Sequence, residues 1–290
     1  MARHTIILFC FFCCTFSFSA NSQSFWRDVS PSQLQLPDRA EVQLPLAKYR
    51  TLELNYASLK KALSSIPPEA REPLPESPYL LDLPLPEGGM ATFRLVGTHA
   101  MAPSLAERYP HIRTYRGIST TDPGRRVRLG YGTNGFYANF MAEEGEVFIE
   151  RYASHQTKYY VSYYRKDVLP KATSPLACGY DPESMEELLD EWSEGEAPVQ
   201  QGHARSGAPI ELRTYRFAII NTGEFAESKG FTTVDEVMSA FVEIVNVLNG
   251  LLESTIAIRV EMIPANEALI YLDSDTDPFS TGNVGGSLLG

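Results

Sequence analysis

The stretch "LRTYRFAIINTGEFAESKGFTTVDEVMSAFVEIVNVLNGLLESTIAIRVEMIP", residues 212 to 264, changes periodicity twice. It opens on a strand pattern with a nearly continuous apolar end at Phe217–Ile220. Thr233 is followed three residues later by Glu236, the spacing of a capping box, and this predicts the start of a helix running to about Glu253. Within it Val234, Val237, Met238, Phe241, Ile244, Val245, Leu248, Leu251 and Leu252 recur at helical intervals. "TIAIRVEMIP" (255–264) then reads as a second strand and "ALIYLD" (268–273) as a third. Strand, helix, strand in this order implies a right-handed crossover and a parallel sheet. Three strands and one helix leave one sheet face and one edge without cover, so this α/β block reads as incomplete. It ends in a glycine-rich segment at Gly290.

Upstream, residues 91 to 165 are β-patterned throughout, in "ATFRLVGTHAM", "HIRTYRGIST", "RRVRLGYGTNGFYANFM", "GEVFIERYA" and "KYYVSYYRKD". Their separators, "TTDPG", "TNG" and "EEG", supply hairpin turn residues, and Thr133-Asn134-Gly135 is the strongest such signal. This predicts an antiparallel sheet or sandwich. Residues 24 to 90 are proline-rich, with a strand at Leu52 and Leu54 and a short helix carrying Leu59, Leu63 and Ile66. Pro67 and Pro68 end that helix, and "REPLPESPYLLDLPLPEGG" (71–89) has too many prolines for anything but an edge or loop.

The first residues form a separate unit. Arg3 and His4 precede "TIILFCFFCCTFSFSA", an apolar run too short for a membrane span, which reads as a secretory signal peptide over residues 1–22 with cleavage after Ser19 or Ser22. No other stretch approaches a bilayer span, so the expected product is exported and free of the membrane once the signal is removed. The net charge of −11 argues against nucleic acid and anionic membranes as partners. Eight of the acids fall between residues 179 and 199, with no Lys or Arg among them.

Residues 169–211 join the two regions. They contain Cys178, an acidic amphipathic helical pattern with Met185, Leu188, Leu189 and Trp192 on one face, and a Gly/Pro/Gln-rich linker with Arg205 open to proteolysis. Cys10, Cys13 and Cys14 all lie in the signal peptide, so Cys178 has no intramolecular disulfide partner.

Four features of the C-terminal block resemble a known family. They are Thr222-Gly223-Glu224 after the first strand, Val247-Leu248-Asn249-Gly250-Leu251 closing the helix, Ile256-Ala257-Ile258-Arg259, and "LIYLDSDTDPF" at 269–279. Together they look like the start of the catalytic domain of bacterial secreted reprolysin-like metallopeptidases, a branch of the metzincins. Upstream, "TYRGISTTDPGRRVRLGYGTNGFYANF", "GEVFIERY" and "YYVSYYRKD" are similar to the strands of that family's pro-region. The resemblance implies an α+β precursor: an antiparallel β-rich pro-region (23–168), the linker, and the beginning of a metzincin-like subdomain (212–290). It further implies zinc in the full-length enzyme, and protein or peptide substrates.

The departure from the family is the zinc motif. HExxHxxGxxH places two histidines one helical turn apart and a third after a glycine turn, with a glutamate to polarise water. The histidines here are His4, His99, His111, His155 and His203, and no HExxH occurs. No catalytic residue is therefore assigned, and the chain itself is expected to bind no zinc. The remaining metal candidate is Cys178: a pro-region thiolate can fill the fourth zinc position and hold a metzincin latent, while the other readings are a small buried side chain and an interchain disulfide. Asp273, Asp275 and Asp277 alternate as in some calcium loops but lack the bidentate glutamate, and turn chemistry explains them. The glycines of "GYGTNG" open no helix and read as a hairpin rather than a phosphate cradle. The alternative to a protease precursor is a non-catalytic exported module in which the β-rich region binds or inhibits a partner.

Overall fold

The computed structural model describes residues 25–169, apart from 39, 43, 44 and 70–73, and residues 211–279. The signal peptide, Cys178, the acidic helical pattern, Arg205, His203 and the terminal glycine-rich segment lie outside the described residues.

Nine strands form one antiparallel sheet: β1 (Trp26–Asp28), β2 (Arg50–Leu54), β3 (Leu80–Pro84), β4 (Met90–Thr98), β5 (Arg113–Ser119), β6 (Arg126–Gly132), β7 (Gly135–Met141), β8 (Glu146–Arg151) and β9 (Tyr159–Tyr164). Their order across the sheet is β1-β2-β9-β8-β7-β6-β5-β4-β3. From β3 to β9 each strand pairs with the next in sequence, as short strands with tight turns predict, and the proline-rich β3 takes an edge. At the β6–β7 hairpin Gly132 pairs with Gly135, and Gly135 carries the positive φ of 98° that the turn requires.

The sheet curls on itself. Ser162 Oγ of β9 donates to the Pro84 carbonyl of β3 at 2.7 Å, and Arg50 of β2 reaches the carbonyls of Leu85 and Gly89 at 3.0 and 2.8 Å. The inward residues of every other position, among them Leu52, Phe93, Leu95, Val127, Leu129, Ile149 and Tyr160, meet inside as one core. Aromatic pairs span it: Phe93 against Phe140 at 4.9 Å and Trp26 against Phe136 at 5.6 Å. Helix α1 (Tyr56–Ser64) is capped by Asn55, whose side chain accepts from Ser58 N. It contributes Leu59 and Leu63 to the same core, and the Tyr115 hydroxyl donates to the Leu63 carbonyl at 2.8 Å.

The C-terminal block holds β10 (Arg213–Phe217), helix α3 (Gly223–Lys229), helix α4 (Val234–Thr255) and β11 (Ile258–Met262), after a four-residue helical turn α2 (Pro103–Ala106) between β4 and β5. Strands β10 and β11 pair in parallel, from Arg213–Ile258 to Phe217–Met262. The capping box forms: Glu236 N donates to Thr233 Oγ1 at 3.3 Å and Thr233 N to Glu236 Oε2 at 3.1 Å. Helix α3 has no counterpart in the strand–helix–strand–strand reading. Its signal was Gly230, which ends it with φ 66°.

The third predicted strand does not form. Residues 266–269 make a 3₁₀ turn and 270–273 run without strand pairing. Two asparagine side chains occupy the places a ladder would use. Asn266 accepts from Ile219 N and donates to Ile219 O, both at 3.0 Å, while Asn221 donates to Tyr271 O at 2.6 Å and accepts from Tyr271 N at 3.3 Å. The segment is therefore held by side-chain amides rather than by backbone pairing. Strand β10 is exposed along most of its length, and Ile244, Leu251 and Ile256 of the same block are exposed apolar side chains.

A second core joins regions that the sequence separates. Ala100, Met101, Leu105 and Ile112, all from the β4–β5 connection, pack with Val237, Met238, Phe241 and Val245 of α4 and Met262 of β11. Residues 100–102 flank β11, with Ala102 N donating to Met262 O and Met262 N to Ala100 O, each at 2.9 Å. Contrary to the expectation of no second apolar span, α4 is long and apolar enough to cross a bilayer by length and composition. Its apolar stripe instead fills this core.

Candidate functional site: the seam between sheet and helix

The outer face of β5, β6 and β7 receives α4 along its whole length. Two glycines on this face leave room that a side chain would fill. A Cβ on Gly130 would lie 2.6 Å from the Tyr137 hydroxyl and 2.7 Å from the Arg113 carbonyl, and one on Gly132 would collide with the Ser239 hydroxyl. On the outward side of β6, Gly132 thus makes room for α4 and Gly130 for Tyr137 and the Arg113 backbone, with Tyr131 between them pointing into the barrel.

A polar stripe on α4 meets this face. At the first turn, Asp235 accepts from the Thr133 hydroxyl and lies 2.7 Å from His111 Nε2, a favourable place for a carboxylate at a helix N-terminus. Asn134 Nδ2 donates to the Glu236 carbonyl at 2.8 Å. About three turns on, Asn246 Nδ2 donates to the Leu129 carbonyl at 3.0 Å and contacts the Tyr137 hydroxyl at 3.1 Å. Asn249 turns the other way and pairs with both backbone groups of Val260, tying α4 to β11 at 2.7 and 2.9 Å.

An ion cluster closes the far end. Glu253, its side chain 5% exposed, accepts from Arg128 of β6 at 2.5 Å and from Arg259 of β11 at 2.6 Å. Glu69, just after α1, pairs with Arg116 of β5 and with Arg259 at 3.4 Å. Three guanidiniums face two carboxylates, so positive charge is in surplus. Burial works against the Glu253 charge, but the hydrogen bond from Arg259 and the neighbouring guanidiniums hold its carboxyl below the usual range. Burial, with the other arginines, pushes Arg116 down to about 10 and lowers Arg128 as well. Arg128 Nη1 and Arg116 Nε are buried without hydrogen-bond partners, which agrees with the surplus of donors.

On the opposite flank of α4, Glu243 is pushed up to about 8, chiefly by burial and then by the charge of Glu150 on β8, with Arg151 and Lys229 opposing. Glu150 is itself raised by burial, against a hydrogen bond from Tyr163. A carboxyl raised this way is protonated in the folded chain and ionised in the unfolded one between the ordinary carboxylate range and about 8. The folded state then binds the extra proton, so stability is fullest at low pH and falls as pH rises through that window. Melting temperatures measured from pH 4.5 to 8.5 should decline, and Glu243→Gln should flatten the decline and melt higher than the parent at pH 8.5. A parallel slope in both proteins would remove Glu243 as its source.

The seam is a docking surface in its chemistry. Among the described residues no group of three or more His, Cys, Asp or Glu could hold a metal ion. Of the aspartates at 273, 275 and 277, two accept backbone N–H groups: Asp273 Oδ1 from Asp275 N at 2.9 Å, and Asp277 from Gly223 N at 2.6 Å and Phe279 N at 2.8 Å. His99, His111 and His155 do not converge on a site, although His111 has the Asp235 contact that spacing along the sequence did not reveal. The missed residues did carry a signal: Ser239, Asn246 and Glu253 stand at seven-residue intervals on the flank of an otherwise apolar helix.

The architecture is therefore a curled antiparallel sheet with a strand–helix–strand block docked on its outer face. Residues 211–289, a range that contains the docked block, match the family model of Metallo-peptidase family M12B, Reprolysin-like. The C-terminal block is thus similar to a metallopeptidase family, and the sheet lies outside the match. No curated protein matches the chain.

Proposed function

We propose that the chain is the precursor portion of an exported zinc-dependent metalloendopeptidase acting on protein or peptide substrates. In this reading residues 23–168 are the pro-region and 212–290 the opening part of the catalytic domain. The observation that carries it is the coincidence of the reprolysin-like match with the block whose α4 is bound along the sheet. A pro-region that contributes Met101, Leu105 and Ile112 to the other region's core would support its folding, and the linker bearing Cys178 joins the two. Export rests on the signal-like residues 1–22, and latency on Cys178 as a thiolate ligand for a zinc held by residues other than those described. The described residues do not supply a zinc donor set, and HExxHxxGxxH is absent from the sequence. In this reading the chain by itself is catalytically silent, because HExxHxxGxxH is missing from its sequence. Purified residues 23–290 with added zinc should leave a peptide substrate intact, and hydrolysis abolished by a chelator would overturn that silence. Cys178→Ser should change nothing measurable in this chain and should unlatch only a full-length precursor.

A second reading has its own support. The barrel core draws only on residues 26 to 164, so the sheet is complete without the docked block and suits an exported binding or inhibitory module. The coding sequence past codon 290 separates the two readings. An in-frame HExxHxxGxxH favours the precursor, and a stop without one favours the module.

A further inference from the structure

A cleft of about 470 Å³ opens where the β4–β5 connection meets the docked block. Its floor is apolar, built from Ile66, Ala100, Met101, Ile112, Tyr115 and Val242. The volume is that of a small-ligand site, and an apolar floor with a few polar groups at the mouth is the usual composition of one. The mouth holds two carboxylates and one guanidinium, with the His99 ring also lining the cleft. Glu107 and Glu261 stand at it, and among the described residues neither makes an ion pair or a side-chain hydrogen bond. The one guanidinium there, Arg113, is directed at the carbonyls of Ser64 and Pro110, at 3.2 and 3.4 Å. A ligand entering would thus bury an apolar body and meet two uncommitted carboxylates.

We propose that this cleft binds a small organic cation, an apolar or aromatic body of a few carbons carrying one ammonium group. Apolar burial supplies the attraction to the floor, and the two carboxylates select the cationic end against neutral or anionic analogues. Because Val242 and Glu261 belong to the docked block and the other walls to the sheet region, an occupied cleft would also hold the two together. Binding only to the docked arrangement would raise its stability by mass action.

The test uses the intact chain after signal removal, with 4-phenylbutylamine as probe and 4-phenylbutanol and 4-phenylbutyrate as neutral and anionic comparisons, titrated by calorimetry. The amine should bind with a Kd on the order of 1 mM or below, about tenfold tighter than the alcohol, with the acid weakest. Glu107→Gln combined with Glu261→Gln lies at the cleft mouth and should keep the parent's melting temperature. It should weaken the amine about tenfold while leaving the alcohol unchanged. Equal affinities for amine and alcohol, no binding of the amine at several times that concentration, or an amine affinity untouched by the double variant would each overturn the proposal.

Discussion

Glu253→Ala is expected to lower the stability of the chain by about 4 kcal/mol, the largest effect of any single change at the seam. The carboxylate is almost wholly buried between Arg128 and Arg259, at 2.5 and 2.6 Å. Its removal leaves two guanidiniums in a low-dielectric seam already short of negative charge, and an unpaired buried charge costs more than the pair was worth. The comparison that isolates this is Glu69→Ala. Glu69 belongs to the same cluster but is 31% exposed, so water replaces much of its interaction, and its loss should cost about 1 kcal/mol. Glu253→Gln keeps the shape and one acceptor and should fall between them. Urea midpoints for the three variants decide the matter, and equal losses at 253 and 69 would mean that burial does not govern the cluster.

Gly223→Ala should cost about 3 kcal/mol and act mainly on the C-terminal block. A Cβ at this position would lie 2.5 Å from the Asp273 carbonyl oxygen and closer still to the Asp273 carbonyl carbon and Ser274 N. These are backbone atoms of the turn folded over the start of α3, and no rotamer change can relieve the overlap. The turn is held there from three sides. Gly223 N donates to Asp277, and Glu227 Oε1 accepts from both the backbone and the hydroxyl of Ser274 at 2.9 and 2.8 Å. The added methyl must push the turn away and break these bonds. Hydrogen exchange should speed up across residues 273–279 while the barrel strands keep their protection. A loss under about 0.5 kcal/mol, typical of an open surface site, would show that the turn yields freely.

This glycine also shows how far the residues could be read. Thr222-Gly223-Glu224 stood out as a resemblance to a family, but its physical reason, a backbone packed against a backbone fifty residues on, lies in the tertiary contact. The glycines of "GYGTNG" divide the same way. Gly135 is a turn glycine that hairpin chemistry predicts, whereas Gly130 and Gly132 make room for neighbours on the outer face, α4 among them. The expectation of a third strand at 268–273 failed because two asparagines, each an ordinary turn-former in sequence, bond the neighbouring backbone and displace the ladder. Its alternating apolar residues are partly buried without strand pairing.

By itself the sequence determined what is decided within one turn or one hairpin. The capping box starts α4 where Thr233 and Glu236 predict, the meander follows its turn residues from β5 to β8, and prolines put β3 at an edge. These features depend on backbone propensity and period, which act between near neighbours. Only the tertiary structure decided that the sheet curls into a closed core, that residues 100–112 belong to the second core, and that α4 lies on β6. The contacts that fix this arrangement join residues far apart, Arg128 to Glu253 across 125 positions and His111 to Asp235 across 124. Which arginine meets which carboxylate over such a separation is set by how two packed surfaces fit, and no local period records it.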